Sequence, residues 1–123
     1  MSKIYVCDDD PVILMMVSRI LGKTHEIMTS QTRDGLLELL AAGKPDIILL
    51  DFLMPEGDGL EFISILREKG YYPEIPVVIV TGDRDLSLEA KCMNEGVGDF
   101  IQKPFVPDVL MNRVQQVIDR INS

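Results

Sequence analysis

The sequence predicts an α/β fold, a doubly wound parallel sheet of five strands with helices on both faces. Two observations carry this. Short apolar runs without in-out alternation recur along the chain, as central parallel strands covered on both sides require. Between them lie stretches of helical period, so strand and helix alternate five times, and right-handed crossovers then distribute the helices over the sheet.

The elements follow in order. Ile4-Tyr5-Val6-Cys7 is the first strand. Ile13, Met16, Val17, Ile20 and Leu21 recur at i, i+3, i+4, i+7 and i+8 and give the first helix its core stripe. A weaker strand fits His25 to Thr29. Leu36, Leu37, Leu39 and Leu40 mark a second helix, which Gly43 and Pro45 close. The tetrads Ile47-Ile48-Leu49-Leu50 and Val77-Val78-Ile79-Val80 are the third and fourth strands. A helix from about Leu60 to Lys69, stopped by Gly70, lies between them. A fourth helix covers Leu86 to Glu95 and ends at Gly96, and Asp99 to Gln102 is the fifth strand. The last helix starts near Pro107 and is expected to bury Leu110, Val114, Val117, Ile118 and Ile121.

The chain of 123 residues is expected to form one domain, residues 1–123. With 46% apolar and 26% charged residues, it has enough apolar side chain for a core and is not of disordered composition. The longest apolar run, Val12 to Val17, is far short of the roughly 18 residues of a membrane span. Met1-Ser2-Lys3 leads directly into a strand without a leader pattern, so a cytoplasmic protein is expected. Cys7 and Cys92 have no CxxC or metal-ligand spacing and read as buried thiols in a reducing compartment. A net charge of -8 weighs against direct nucleic-acid binding by this domain.

In an open parallel sheet, ligands sit beyond the carboxyl ends of the strands. Asp8, Asp9 and Asp10 follow the first strand, Asp51 the third, Thr81 the fourth and Lys103 the fifth. If the first and third strands are neighbours, at least three carboxylates converge. Like charges that close oppose ionisation unless a cation neutralises them. Magnesium suits such a set, because it takes one or two carboxylates, keeps waters and accepts phosphate oxygens. Asp10 before Pro11 reads as a helix N-cap in preference to a metal ligand. Asp8 and Asp9 also fit first-turn acids favoured by the helix dipole. Thr81 before Gly82 and Asp83 also fits a turn residue. Taken together, carboxylates, cation, hydroxyl and ammonium are the parts that hold a phosphoryl group in transfer.

Four motifs occur in fixed order along the chain: Asp8-Asp9, Asp51-Phe52-Leu53-Met54-Pro55 with Asp58-Gly59, Thr81-Gly82, and Lys103-Pro104-Phe105. Over essentially its whole length the chain resembles the CheY-like receiver domains of two-component response regulators. That resemblance implies a flavodoxin-like sheet of strand order 2-1-3-4-5. It implies Asp51 as phosphoacceptor, with Mg2+ held by Asp9, Asp51 and the Leu53 backbone carbonyl, and by Asp8 mainly through water. Lys103 would pair with Asp51 and then with a phosphoryl oxygen, which the Thr81 hydroxyl would also meet. Phe100, where many relatives have tyrosine, would be the switch ring. Leu53, Gly82 and Asp83 would tune access and phosphate lifetime. Lys103-Pro104 matches the family's cis bond. The implied partners are a sensor histidine kinase or histidine phosphotransfer domain and a downstream effector. A phosphorylation-dependent dimer would use the fourth helix, fifth strand and fifth helix.

On the first helix, Leu14 and Met15 fall off the core stripe toward solvent, either as scattered surface apolars or as a docking site for the phosphodonor. Two rivals are weaker. An aspartyl phosphatase needs a second carboxylate two residues after the nucleophile, and Leu53 stands there. A flavin or dinucleotide binder needs a phosphate loop after the first strand, where three aspartates would repel it.

Overall fold

In the computed structural model, which describes residues 2–122, seven strands and five helices follow one another. The main sheet contains β1 (Lys3–Cys7), β2 (Glu26–Ser30), β3 (Ile47–Asp51), β6 (Val77–Thr81) and β7 (Asp99–Gln102). Its order is β2-β1-β3-β6-β7 and every pairing is parallel. Numbered within the sheet, that is 2-1-3-4-5, the expected doubly wound order. Two further strands, β4 (Leu53–Met54) and β5 (Gly57–Asp58), form a small antiparallel hairpin. The helices are α1 (Pro11–Leu21), α2 (Arg33–Ala42), α3 (Gly59–Glu68), α4 (Leu86–Asn94) and α5 (Pro107–Ile121).

Alternation along the strands divides the core in two. Tyr5, Cys7, Ile48, Leu50, Val77, Ile79 and Phe100 face α2, α3 and α4, packing with Leu36, Phe62, Leu66 and Leu88. Ile4, Val6, Ile47, Leu49, Val78, Val80 and Ile101 face α1 and α5, meeting Val17, Leu21, Leu110 and Val114. Both clusters are needed because β1, β3 and β6 have no solvated face. The two thiols are buried and free, and burial pushes Cys7 up to about 12 and Cys92 up to about 11, which disfavours the thiolate at neutral pH.

The first helix corrects the sequence reading. Leu14 is buried and belongs to the core with Val17 and Leu21, whereas Met16 is exposed. Every residue from Val12 to Val17 is apolar, so the period alone does not fix the helix phase. Met15 is exposed, as expected. At the other end of the chain, Ile121 is exposed, and Ile118 is the last residue of α5 that is buried in the core. The second strand begins one residue later than expected and reaches Ser30.

The two ends of α4 are held differently. At its C-terminal end, the Tyr72 hydroxyl donates to the Glu95 carbonyl at 2.5 Å and Arg67 pairs with the Glu95 carboxylate at 3.1 Å. Gly96 there has φ +84, a left-handed conformation that suits glycine. Its N-terminal end is capped by Asp85, which accepts from Ser87 N at 2.9 Å.

Candidate functional site

The carboxyl ends of β1 and β3 lie side by side at the point where the strand order reverses. Asp10 caps α1 by accepting from Val12 N at 2.9 Å, with Pro11 at the first helical position, so its carboxylate is a capping group. Asp8 is buried, and its Oδ1 accepts from Asp10 N at 2.9 Å. Asp51, the last residue of β3, is also buried. Asp8, Asp9 and Asp51 each offer an oxygen, and these oxygens all lie within 4.8 Å of one another. Lys103 reaches in from beyond β7, with its ammonium 2.7 Å from Asp8 Oδ2 and 3.4 Å from Asp51 Oδ1. Asp8 is therefore its nearer partner, and Asp51, expected as its partner, stands second. The Lys103–Pro104 bond is cis, as the resemblance implied.

Burial pushes the Asp51 carboxyl up to about 6; the charges of Asp8 and Asp9 add to this, while Lys103 opposes it. Burial would lower Lys103, but its hydrogen bond to Asp8 and the charges of Asp51 and Asp8 outweigh that and raise it. Three carboxylates against one ammonium leave two negative charges in the cleft when all are ionised. A hard divalent cation with oxygen ligands fits both the donor set and the residual charge.

The remaining expected residues lie around this centre. Thr81 is buried at the end of β6, where its hydroxyl accepts from Asp83 N at 3.1 Å. The same loop is held by Gln102 Nε2, which donates to the Asp83 carbonyl at 2.7 Å, and by Asp83 Oδ1, which accepts from Asp85 N. Gly82 is exposed, and a Cβ there would meet nothing within 4 Å. Phe100 is buried in the core cluster with Leu88 and Cys92 of α4. Leu53 is 54% exposed at the start of the hairpin. So Asp8, Asp9, Asp51 and Lys103 form one cluster, while Thr81 is engaged with its own loop.

Two features were not read from the sequence. The hairpin strands have two residues each, below any detectable period. Arg33 is buried beneath that hairpin, although an arginine in a first helical turn ordinarily points to water. A third was legible: Asp58 caps α3 by accepting from Glu61 N, and an acid three residues after a capping acid is a known start signal.

Comparison with known proteins agrees with this geometry. The family model for the response regulator receiver domain matches residues 4–115. The phosphate regulon transcriptional regulatory protein PhoB of Klebsiella pneumoniae is 32% identical over 98% of this chain and 53% of its own length. The chain thus spans about half the length of the PhoB sequences it matches. Among solved structures, a BeF3-activated DrrB receiver domain superposes with a TM-score of 0.85 at 30% identity, over 97% of this chain and 98% of the other. The chemotaxis protein CheY4 of Vibrio cholerae gives 0.86 at 27% identity, over 95% of this chain and 98% of the other. An acidic cluster beyond the first and third strands, a lysine reaching into it, and a family match over most of the chain lead to one conclusion: this chain belongs to the response regulator receiver domain family.

Proposed function

We propose that the whole chain, residues 1–123, is one receiver unit that accepts a phosphoryl group on Asp51. The donor would be a phosphohistidine of a sensor histidine kinase or a histidine phosphotransfer domain. The observation that carries this reading is the convergence of Asp8, Asp9 and Asp51 with the Lys103 ammonium. Asp8, Asp9, Asp51 and the backbone carbonyl of Leu53 would hold Mg2+. When bound, Mg2+ supplies charge neutralisation for the oxyanions.

A carboxylate oxygen of Asp51 attacks phosphorus in line, the P–N bond breaks, and the imidazole leaves with the electron pair. Lys103, already 3.4 Å from Asp51, stabilises the phosphoryl oxygens that then crowd the site. The product is an acyl phosphate of about two negative charges. Thr81 would release the Asp83 amide and donate its hydroxyl to a phosphoryl oxygen. That shift loosens the loop before α4, and Phe100, lacking a hydroxyl, holds its inward position by burial alone. The readout is the face built from α4, β7 and α5, where Asp99 and Arg113 pair at 2.6 Å. A downstream effector or a second phosphorylated copy would meet it there.

The same acids that bind and activate the phosphoryl group also support its hydrolysis, so the domain assists its own loading and unloading. Met15, exposed on α1, remains available for phosphodonor docking; Leu14 does not. Among the described residues no helix is long and apolar enough to cross a membrane, and a cytoplasmic setting fits the two free thiols.

Incubation with Mg2+ and acetyl phosphate, followed by mass spectrometry, tests the reading. One phosphoryl group on Asp51, lost in Asp51→Asn and after chelation of Mg2+, is expected. A folded protein that takes no phosphoryl group and forms no beryllofluoride complex at Asp51 would overturn it.

A further inference from the structure

Arg33 is the one charged side chain outside the acidic cluster that lies buried among the described residues, with 7% of its side chain exposed. Burying a guanidinium is unfavourable unless its donors are well paired. Here the pairing is partial. Nη1 meets Glu61 at 3.3 Å, but Glu61 is 61% exposed and such a pair contributes little. Nε is buried without a hydrogen-bond partner. The guanidinium lies 5.0 Å from the Phe62 ring centroid. Its closest polar contact is Nη2 donating to the Asp58 carbonyl.

That contact leads to the phosphoryl site in two steps. Asp58 is directly opposite Leu53 in the hairpin register, and Leu53 is two residues beyond Asp51. The docking is reciprocal, because Arg33 N, an orphan donor of the first turn of α2, donates to Glu56 Oε2 at 3.0 Å. Gly57 makes room: it has φ +149, and a Cβ there would stand 3.1 Å from Arg33 Nη1.

We propose that Arg33 is a positioning residue for the metal site: by gripping Asp58 it fixes the hairpin, and through it the backbone at Leu53, at the place required for cation coordination. This rests on the reading of Leu53 as a backbone ligand. Two signs separate positioning from other roles. Because Glu61 is exposed, replacing Arg33 by an apolar side chain strands no buried counter-charge and removes the cost of burying the guanidinium, so little stability should be lost. Moreover, removing a positive charge near the cluster would by itself tighten cation binding, so weaker binding in its absence is the mark of lost geometry.

The experiment titrates the unphosphorylated protein with MgCl2 and, separately, CaCl2, followed by amide NMR shifts, for wild type, Arg33→Met, Arg33→Lys and Glu61→Gln. Arg33→Met should weaken Mg2+ about tenfold, the low end for an outer-shell partner. It should weaken Ca2+ less than about twofold, since Ca2+ tolerates irregular geometry and Mg2+ does not. Its melting temperature should match or exceed wild type. Glu61→Gln should bind Mg2+ as wild type does. Should Arg33→Met fail to fold, Arg33→Lys carries the test, with a loss of about threefold or more expected because one ammonium cannot reproduce the fork. Unchanged Mg2+ affinity in a folded Arg33 variant, or equal losses for both ions, overturns the proposal and leaves the phosphoryl-site reading intact. A wild-type protein that binds no Mg2+ overturns both.

Discussion

Asp51 occupies a position that is unfavourable for a charge in the folded chain and ordinary in the unfolded one. Its pKa is raised to about 6 when folded, so between about pH 4 and 6 the folded state binds the extra proton and stability falls as pH rises. Asp51→Asn removes that cost. We expect it to stabilise the metal-free protein by about 1 to 2 kcal/mol at pH 8, below the two-unit ceiling because Lys103 loses a partner. The gain should vanish below about pH 4, and urea melts at the two pH values read it. Two other residues are proposed to bear on phosphate lifetime. Leu53, exposed beside the site, would shield it, and Asp83, on the loop that holds Thr81, would disfavour or orient attacking water. Leu53→Asn and Asp83→Ala should each change the decay rate of the phosphorylated protein; unchanged decay in both would remove them as modulators.

Helix α1 shows where a sequence pattern stops being informative. Six consecutive apolar residues allow several helix phases, and only packing against β1 and α5 selects the one that buries Leu14, Val17 and Leu21. Leu14→Ala should therefore cost about 2 to 3 kcal/mol. Met15→Ala should stay within about 0.5 kcal/mol, and chemical denaturation of both variants checks the phase. The strands were more legible. Ile47–Leu50 and Val77–Val80 are continuous apolar runs because both faces are covered, and every residue in them is buried. Asp51, the acid that closes such a run, was legible for the same reason: a carboxylate there must be paired or used. Arg33 and the hairpin over it were not, since no periodicity announces a two-residue strand or a cation buried by residues more than twenty positions away.

At the scale of the molecule, the order of strands and helices was readable, while the choice of polar partners was not. The (βα) alternation and the residues at the strand ends placed Asp8, Asp9 and Asp51 together. Whether Lys103 leans to Asp8 or Asp51 depends on ångström differences that no pattern carries. The unequal fixing of α4 has a mechanical result. Nine residues at about 1.5 Å each make a lever of roughly 13 Å. Its far end is held chiefly by the Tyr72 hydroxyl, and its near end is latched through the loop that Thr81 and Gln102 hold. If the proposed move of Thr81 releases that latch, the motion it favours is a swing about the held end, opposed by the packing of Leu88 in the core, and a displacement at Thr81 would become a tilt of the helix. Amide exchange should therefore quicken from Gly82 to Leu88 on phosphorylation while Cys92 to Val97 stays slow, and Tyr72→Phe should spread the quickening along the entire rod.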